Sequence, residues 1–175
     1  MRKVFLYSSL LLTSLAFISC EKDDICAEDT DTTPLIYLKF YNNDDQNQAK
    51  SRGFVYARAY NEQENLIYKD SIVRFGSEMK LPLRLDSNET TWILTLNDRD
   101  DENKPFTVSD TLKFTYSTRT EYIDKACGYR TIFLLDEEQK NPILNNNNPA
   151  TWIKTYEPLT NFIENDKEEH IKIYY

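Results

Sequence analysis

The chain holds one histidine, three glycines, three cysteines and two tryptophans in 175 residues, and each scarcity closes off a class of chemistry. A lone His170 excludes a multi-histidine metal centre, and three cysteines without a Cys-x-x-Cys spacing exclude a zinc ribbon. Three glycines provide no glycine-rich loop to cradle phosphate, and no paired-carboxylate signature stands out. Positive charge is also short: 21 Lys and Arg face 29 Asp and Glu, a formal net charge of −8. Nucleic acid is therefore not an expected partner, because its binding rests on neutralising phosphates with Lys and Arg. Long apolar runs are missing as well. The longest, Val4 to Ile18, rises about 1.5 Å per residue and falls short of a hydrocarbon layer of about 30 Å. What abounds is aromatic, with 12 Tyr and 9 Phe, enough large apolar surface to build a core.

The apolar run follows Arg2 and Lys3, and this order of a charged start and a short hydrophobic stretch reads as a secretory signal peptide over residues 1–19. At its end Phe17-Ile18-Ser19-Cys20 places a small residue before a cysteine and resembles the lipobox of bacterial lipoproteins. That resemblance implies a diacylglycerol on the Cys20 sulfur and removal of the preceding segment. With more than one acyl chain, Cys20 holds the protein stably on a membrane. The alternative is an ordinary thiol beside a conventional cleavage site. Glu21-Lys22-Asp23-Asp24 then resembles the acidic export signal of Bacteroidota lipoproteins, which implies an outer-membrane protein facing the cell surface; a periplasm-facing anchor is the alternative. Loss of Arg2 and Lys3 takes the formal charge from −8 to −10. Residues 20–34 are charged or small, end at Pro34 and read as a tether.

From Leu35 onward the pattern is period-two alternation broken by polar loops, and residues 35–175 read as one domain. Ile36, Leu38 and Phe40 point one way, Tyr37, Lys39 and Tyr41 the other. In residues 54–60, Val55, Ala57 and Ala59 oppose Phe54, Tyr56, Arg58 and Tyr60, and the aromatic face is a candidate for the buried one. Short strands are expected at 66–68, 71–75 and 78–85, the last at a sheet edge because Pro82 cannot donate to a ladder. Residues 90–96, 111–116, 152–156 and 170–174 complete the alternating set, while 129–135 is continuous enough for a strand buried on both faces. A helix fits at most 161–169. The expected fold is all-β, an antiparallel β-sandwich of about eight to ten short strands, or a partly open β-barrel.

With Cys20 carrying lipid, Cys26 and Cys127 remain as an even pair in an exported chain, and a disulfide is expected between them. It would close a loop of about 100 residues and restrict the unfolded chain by about 4 to 5 kcal/mol on the chain-entropy description. Asp98, Asp100, Asp101 and Glu102 share one loop but lack the glycine and glutamate of a calcium loop, so a hydrated turn is the better reading. His170 reads as a hydrogen-bonded or solvated strand residue rather than a catalytic base, titrating near neutrality at the surface. Tyr37, Tyr41, Tyr56 and Tyr60 are a candidate stacking platform for a sugar or a protein, against the commoner fate of core packing.

Several of these segments together, Cys20 to Cys26, Ala126-Cys127-Gly128-Tyr129-Arg130, Trp152-Ile153-Lys154 and His170-Ile171-Lys172-Ile173-Tyr174, resemble a family of small, uncharacterised Bacteroidota lipoproteins that carry a domain of unknown function. The resemblance implies membrane attachment and no known catalysis. The expectation is thus a lipid-anchored, non-enzymatic envelope protein without a cofactor, with an unidentified envelope protein or glycan as partner. A carbohydrate-binding lipoprotein using the tyrosines and a hydrolase are the alternatives.

Overall fold

The computed structural model describes residues 25–60, 66–68, 70–138, 141–145 and 151–175; the expected signal peptide, Cys20 and the first residues of the expected tether lie outside them. The chain divides into two compact units, one of residues up to Thr30 with Tyr122–Tyr129, the other of Asp31–Glu121 with Arg130–Tyr175. Among the described residues eleven strands follow in order: β1 Ile36–Tyr41, β2 Phe54–Ala59, β3 Ile72–Val73, β4 Glu78–Leu81, β5 Glu89–Arg99, β6 Pro105–Asp124, β7 Gly128–Leu135, β8 Ile143–Asn145, β9 Thr155–Pro158, β10 Phe162–Ile163 and β11 Ile171–Tyr174. They build a four-stranded sheet, β4-β1-β11-β9, and a seven-stranded sheet, β10-β7-β6-β5-β2-β3 with β8 on β6. The fold is all-β and sandwich-like, as alternation without helical periodicity requires. No helix occurs among the described residues, and 161–169 contains the short strand β10 instead.

One pairing departs from the antiparallel expectation. β1 and β11 run parallel, with Leu38 opposite Ile171 and Tyr41 opposite Tyr174. The β1–β4, β11–β9, β2–β3, β2–β5, β5–β6, β6–β8 and β7–β10 pairs are antiparallel. β5 and β6 are also longer than expected, at 11 and 20 residues. The acidic run between them is a turn in which Asp100 Oδ1 accepts the N–H groups of Glu102 and Lys104, and Asn103 takes the positive φ of 64° that asparagine tolerates in place of glycine. Where the chain passes from β3 to β4, Phe75 and Glu78 exchange main-chain hydrogen bonds around Gly76 at φ 60°.

The core lies between the sheets of the larger unit. Ile36, Leu38 and Phe40 of β1 and Ile171 and Ile173 of β11 join Trp92 and Leu94 of β5, Leu112 and Phe114 of β6 and Phe133 of β7 in one buried cluster. Each large side chain removed from water contributes about 1.5–3 kcal/mol. On β2 the sequence expectation is reversed. Val55, Ala57 and Ala59 are buried while Phe54 is 53% exposed. Their partners explain it: Ala57 faces Leu94 and Ala59 faces Trp92, whose bulk leaves room only for small neighbours. β7 is not buried on both faces throughout, since Tyr129 and Leu134 are exposed.

Two buried charges organise irregular chain. Asp110 sits on the core face of β6, opposite Leu94, and its Oδ2 accepts the N–H of Trp152 at 2.9 Å, the N–H of Ile153 at 2.7 Å and the Thr151 hydroxyl at 2.9 Å. Arg74 donates to the carbonyls of Ser51, Arg52 and Gly53 and to the Tyr175 hydroxyl, with its guanidinium 5.3 Å from the Phe40 ring centre. The tether enters the larger unit before Leu35: the Thr33 hydroxyl accepts the Thr131 N–H, and Asp31 pairs with Lys167.

In the smaller unit Asp124 Oδ1 accepts the Cys127 N–H at 2.6 Å, closing the turn that leads from β6 to β7, and Gly128 takes φ 72°. Cys127 is bonded to Cys26, 101 residues away in sequence. Replacing Asp110 with Ala orphans the Trp152 and Ile153 N–H groups, while the Thr151 hydroxyl keeps the Ile153 carbonyl, and is expected to cost about 3 kcal/mol. The check is a lower denaturant midpoint at unchanged slope; a variant as stable as the parent would show that residues 151–153 do not depend on the carboxylate.

Candidate functional site

The outer face of the four-stranded sheet gathers a lattice of tyrosines, lysines and carboxylates. Because alternate residues of a strand share a face, β1 sends Tyr37, Lys39 and Tyr41 outward, opposite its core residues. The register then sets Lys80 beside Tyr37, Glu78 beside Lys39, Lys172 on the other side of Lys39, and Tyr174 beside Tyr41. β9 adds Glu157 next to Lys172. The rings of Tyr41 and Tyr174 lie 5.9 Å apart. The Tyr41 hydroxyl donates to Glu169, 2.8 Å from Oε2, and the Tyr174 hydroxyl donates to Glu157 Oε2 at 2.9 Å.

Lysines cover the rings of Tyr37 and Tyr41. The ammonium groups of Lys39 and Lys172 stand 5.8 and 5.7 Å from the Tyr41 ring centre, and Lys80 stands 5.2 Å from that of Tyr37. Each also meets a carboxylate: Lys39 with Glu169 at 3.6 Å, Lys172 with Glu157 at 3.7 Å and Lys80 with Asp166 at 3.4 Å. The lysine stems lie over apolar ring surface and keep their charged heads near water. Tyr37, Tyr41 and Tyr174 are consequently buried. Burial and the hydrogen-bonded Glu169 push Tyr41 up to about 12, burial and Glu157 do the same for Tyr174, to about 12, and burial and Glu78 raise Tyr37. All three phenols stay protonated near neutrality and act as hydrogen-bond donors, not as nucleophiles.

The four tyrosines singled out in the sequence are therefore not one platform. Tyr37 and Tyr41 belong to β1 in the four-stranded sheet, with their faces covered. Tyr56 and Tyr60 belong to the other sheet: Tyr56 lies on β2 beside Phe54, at 6.0 Å between ring centres, under the Arg58 guanidinium at 5.3 Å, and Tyr60 bridges to Leu66 just past the strand. The physical reason is connectivity, since β1 pairs with β4 and β11 and never with β2. A depression of about 490 Å³ beside the lattice is lined by Tyr37, Lys39, Leu159, Thr160, Lys167, Glu168 and Glu169, a balance of both charges and no nucleophile paired with a base.

His170 is buried rather than at the surface. Its Nδ1 accepts the Tyr37 N–H at 2.9 Å and its own N–H donates to the Tyr37 carbonyl at 2.9 Å. The Asn165 main chain and the Asp166 and Glu168 carboxylates favour its charged form, but burial outweighs them. The neutral imidazole thus holds the start of the β1–β11 ladder, and burial lowers its pKa. Sequence reading missed the partners Glu157, Glu169 and Tyr174. The alternation of Lys172 and Tyr174 was visible, but which strand they adjoin was not.

Residues 53–175 match the family of unknown function DUF6452, and the chain belongs to it. No curated protein and no solved structure matches the chain.

The lowered pKa of His170 gives a signed prediction. Below the ordinary imidazole value of 6.5 the unfolded chain takes up a proton that the folded state resists, so stability is full above that pH and falls as pH drops toward the folded value. Urea midpoints measured from about pH 8 to about pH 5 should decline in the parent and stay flat in His170→Asn, whose side-chain oxygen can still accept from Tyr37. Equal slopes in the two proteins would refute this role.

Proposed function

We propose that this DUF6452 chain is a lipid-anchored, non-enzymatic protein of a bacterial outer membrane, with Cys20 as the lipid attachment point and a binding or structural role facing the cell surface. The observation that carries the reading is how the cysteines divide. Cys26 and Cys127 are bonded to each other, a pairing that suits an oxidising, exported setting, and Cys20 alone is left at the end of a signal-like apolar run. The acidic residues after it, Glu21, Asp23 and Asp24, fit a Bacteroidota surface-export signal.

The non-enzymatic part is supported by how the polar groups are used. His170 commits Nδ1 to the Tyr37 N–H at the head of the β1–β11 pair, and Tyr41 and Tyr174 are held protonated by burial and by Glu169 and Glu157. Such a lattice suits recognition or sheet stability better than bond cleavage.

Detergent phase partitioning with intact mass analysis tests the anchor. The parent should enter the detergent phase with the mass of an acylated Cys20, and Cys20→Ala should move to the aqueous phase with its disulfide intact. An unmodified parent in the aqueous phase would sink the proposal. Protease treatment of unlysed cells then tests the side, with full protection counting against surface display.

A further inference from the structure

The smaller unit carries its own exposed apolar surface. In a chain where 29% of residues are charged, Tyr122 is 60% exposed, Tyr129 is 70% exposed and Ile25 is 84% exposed. The two rings face each other across the β6–β7 hairpin end, edge to face at 5.2 Å. The pair covers part of each ring, yet most of both stays in water, a cost that an interface would relieve.

Position in the covalent structure says what that interface is. Cys127 lies in the turn between Tyr122 and Tyr129, and its sulfur is joined to Cys26, with 4.8 Å between the Cα atoms. From Cys26 back to Cys20 runs a stretch of six residues, which fully extended covers about 20 Å at most. Whatever those residues do, the hairpin end cannot leave the neighbourhood of the Cys20 sulfur. The turn itself is held by the Asp124 carboxylate on the Cys127 N–H, so the tip is ordered rather than trailing.

We infer that Tyr122, Tyr129 and Ile25 form a second contact with the bilayer, seating the disulfide-bonded hairpin end in the headgroup layer beside the lipidated cysteine. The inference rests on the anchor proposed above and adds a site to it. Tyrosine suits that layer because its ring is apolar and its hydroxyl meets water and headgroups. Isoleucine contributes apolar area without a polar group to desolvate. Charge does not drive the contact, since Glu21, Asp23 and Asp24 repel anionic lipids, so added salt, which screens that repulsion, does not weaken it. A single acyl chain anchors only marginally, and the protein contact supplements whichever chains Cys20 carries while orienting the hairpin end against the surface.

The test uses the full lipidated chain with Tyr122→Trp and Tyr129→Trp made separately, reconstituted in phosphatidylethanolamine and phosphatidylglycerol vesicles with and without brominated acyl chains. The native Trp92 and Trp152 are buried and supply a constant background. The expected result is a loss of the added tryptophan's emission in brominated vesicles, a blue shift, and protection from aqueous iodide, none of them weakened by added salt. The protein with lipid on Cys20 that floats with the vesicles but shows full iodide access and no loss in brominated lipid overturns the second contact and leaves the anchor standing. Shielding from iodide without loss in brominated lipid assigns the tip to a protein or a second copy of this chain and likewise overturns it. A chain with no lipid on Cys20 that stays out of the floated fraction overturns the anchor, and the contact with it; mass and flotation read that failure independently of the fluorescence.

Discussion

The parallel pairing of β1 with β11 is the constraint on which the rest of the larger unit depends. Parallel neighbours cannot be joined by a tight turn and need a long crossover. Here the crossover is all the chain between them, so the seven-stranded sheet is built inside it. The pair begins with a reciprocal contact in which His170 and Tyr37 each donate to the other, one of the two acceptors being an imidazole nitrogen. Its register has a price, because it sets Lys39 beside Lys172, and like charges on neighbouring strands repel. Glu169 and Glu157 offset this, and the Tyr41 ring, near both ammonium groups, takes up part of both fields. The tyrosine lattice is thus the electrostatic complement of a topological choice.

Much of this was legible in the alternation. Ile36, Leu38 and Phe40, Trp92, Leu94 and Leu96, and Leu112, Phe114 and Tyr116 all face inward as period two demands. Reading that period one step further back from Leu112 would have flagged Asp110 as a core-facing carboxylate. The face of β2 was not legible, because hydrophobicity favours Phe54 and Tyr56 for burial while the available volume, set by Leu94 and Trp92 on the neighbouring strand, admits only Val55 and two alanines. Nor was the grouping of the tyrosines. Spacing along the chain assigns a residue to a face of its own strand but does not say which strand lies next to it, and β1 and β2 went to different sheets. The disulfide was readable by counting, since it needed only the identity of the leftover pair.

Asp110 and Arg74 show a common use of buried charge. Neither is principally engaged with an opposite side-chain charge. Asp110 gathers main-chain donors from residues 152 and 153, and Arg74 gathers main-chain acceptors from residues 51 to 53. Each supplies an irregular segment with the hydrogen bonds that a neighbouring strand would otherwise give. Charged groups form the stronger bonds of this type, so two side chains suffice to fix both segments, which meet at one depression around Trp152 and Tyr175.

The match to DUF6452 begins at residue 53, after β1 has already been laid down between β4 and β11. A polypeptide cut at that boundary would lack the middle strand of a four-stranded sheet. β4 and β11 would each present a row of unpaired N–H and C=O groups, and Ile171 and Ile173 would lose their cover. Two open edges flanking a vacant slot of strand width are a template for the same strand from another molecule, so the truncated domain would tend toward strand exchange and aggregation. The folding unit is therefore longer than the matched segment and includes β1, which lies ahead of residue 53.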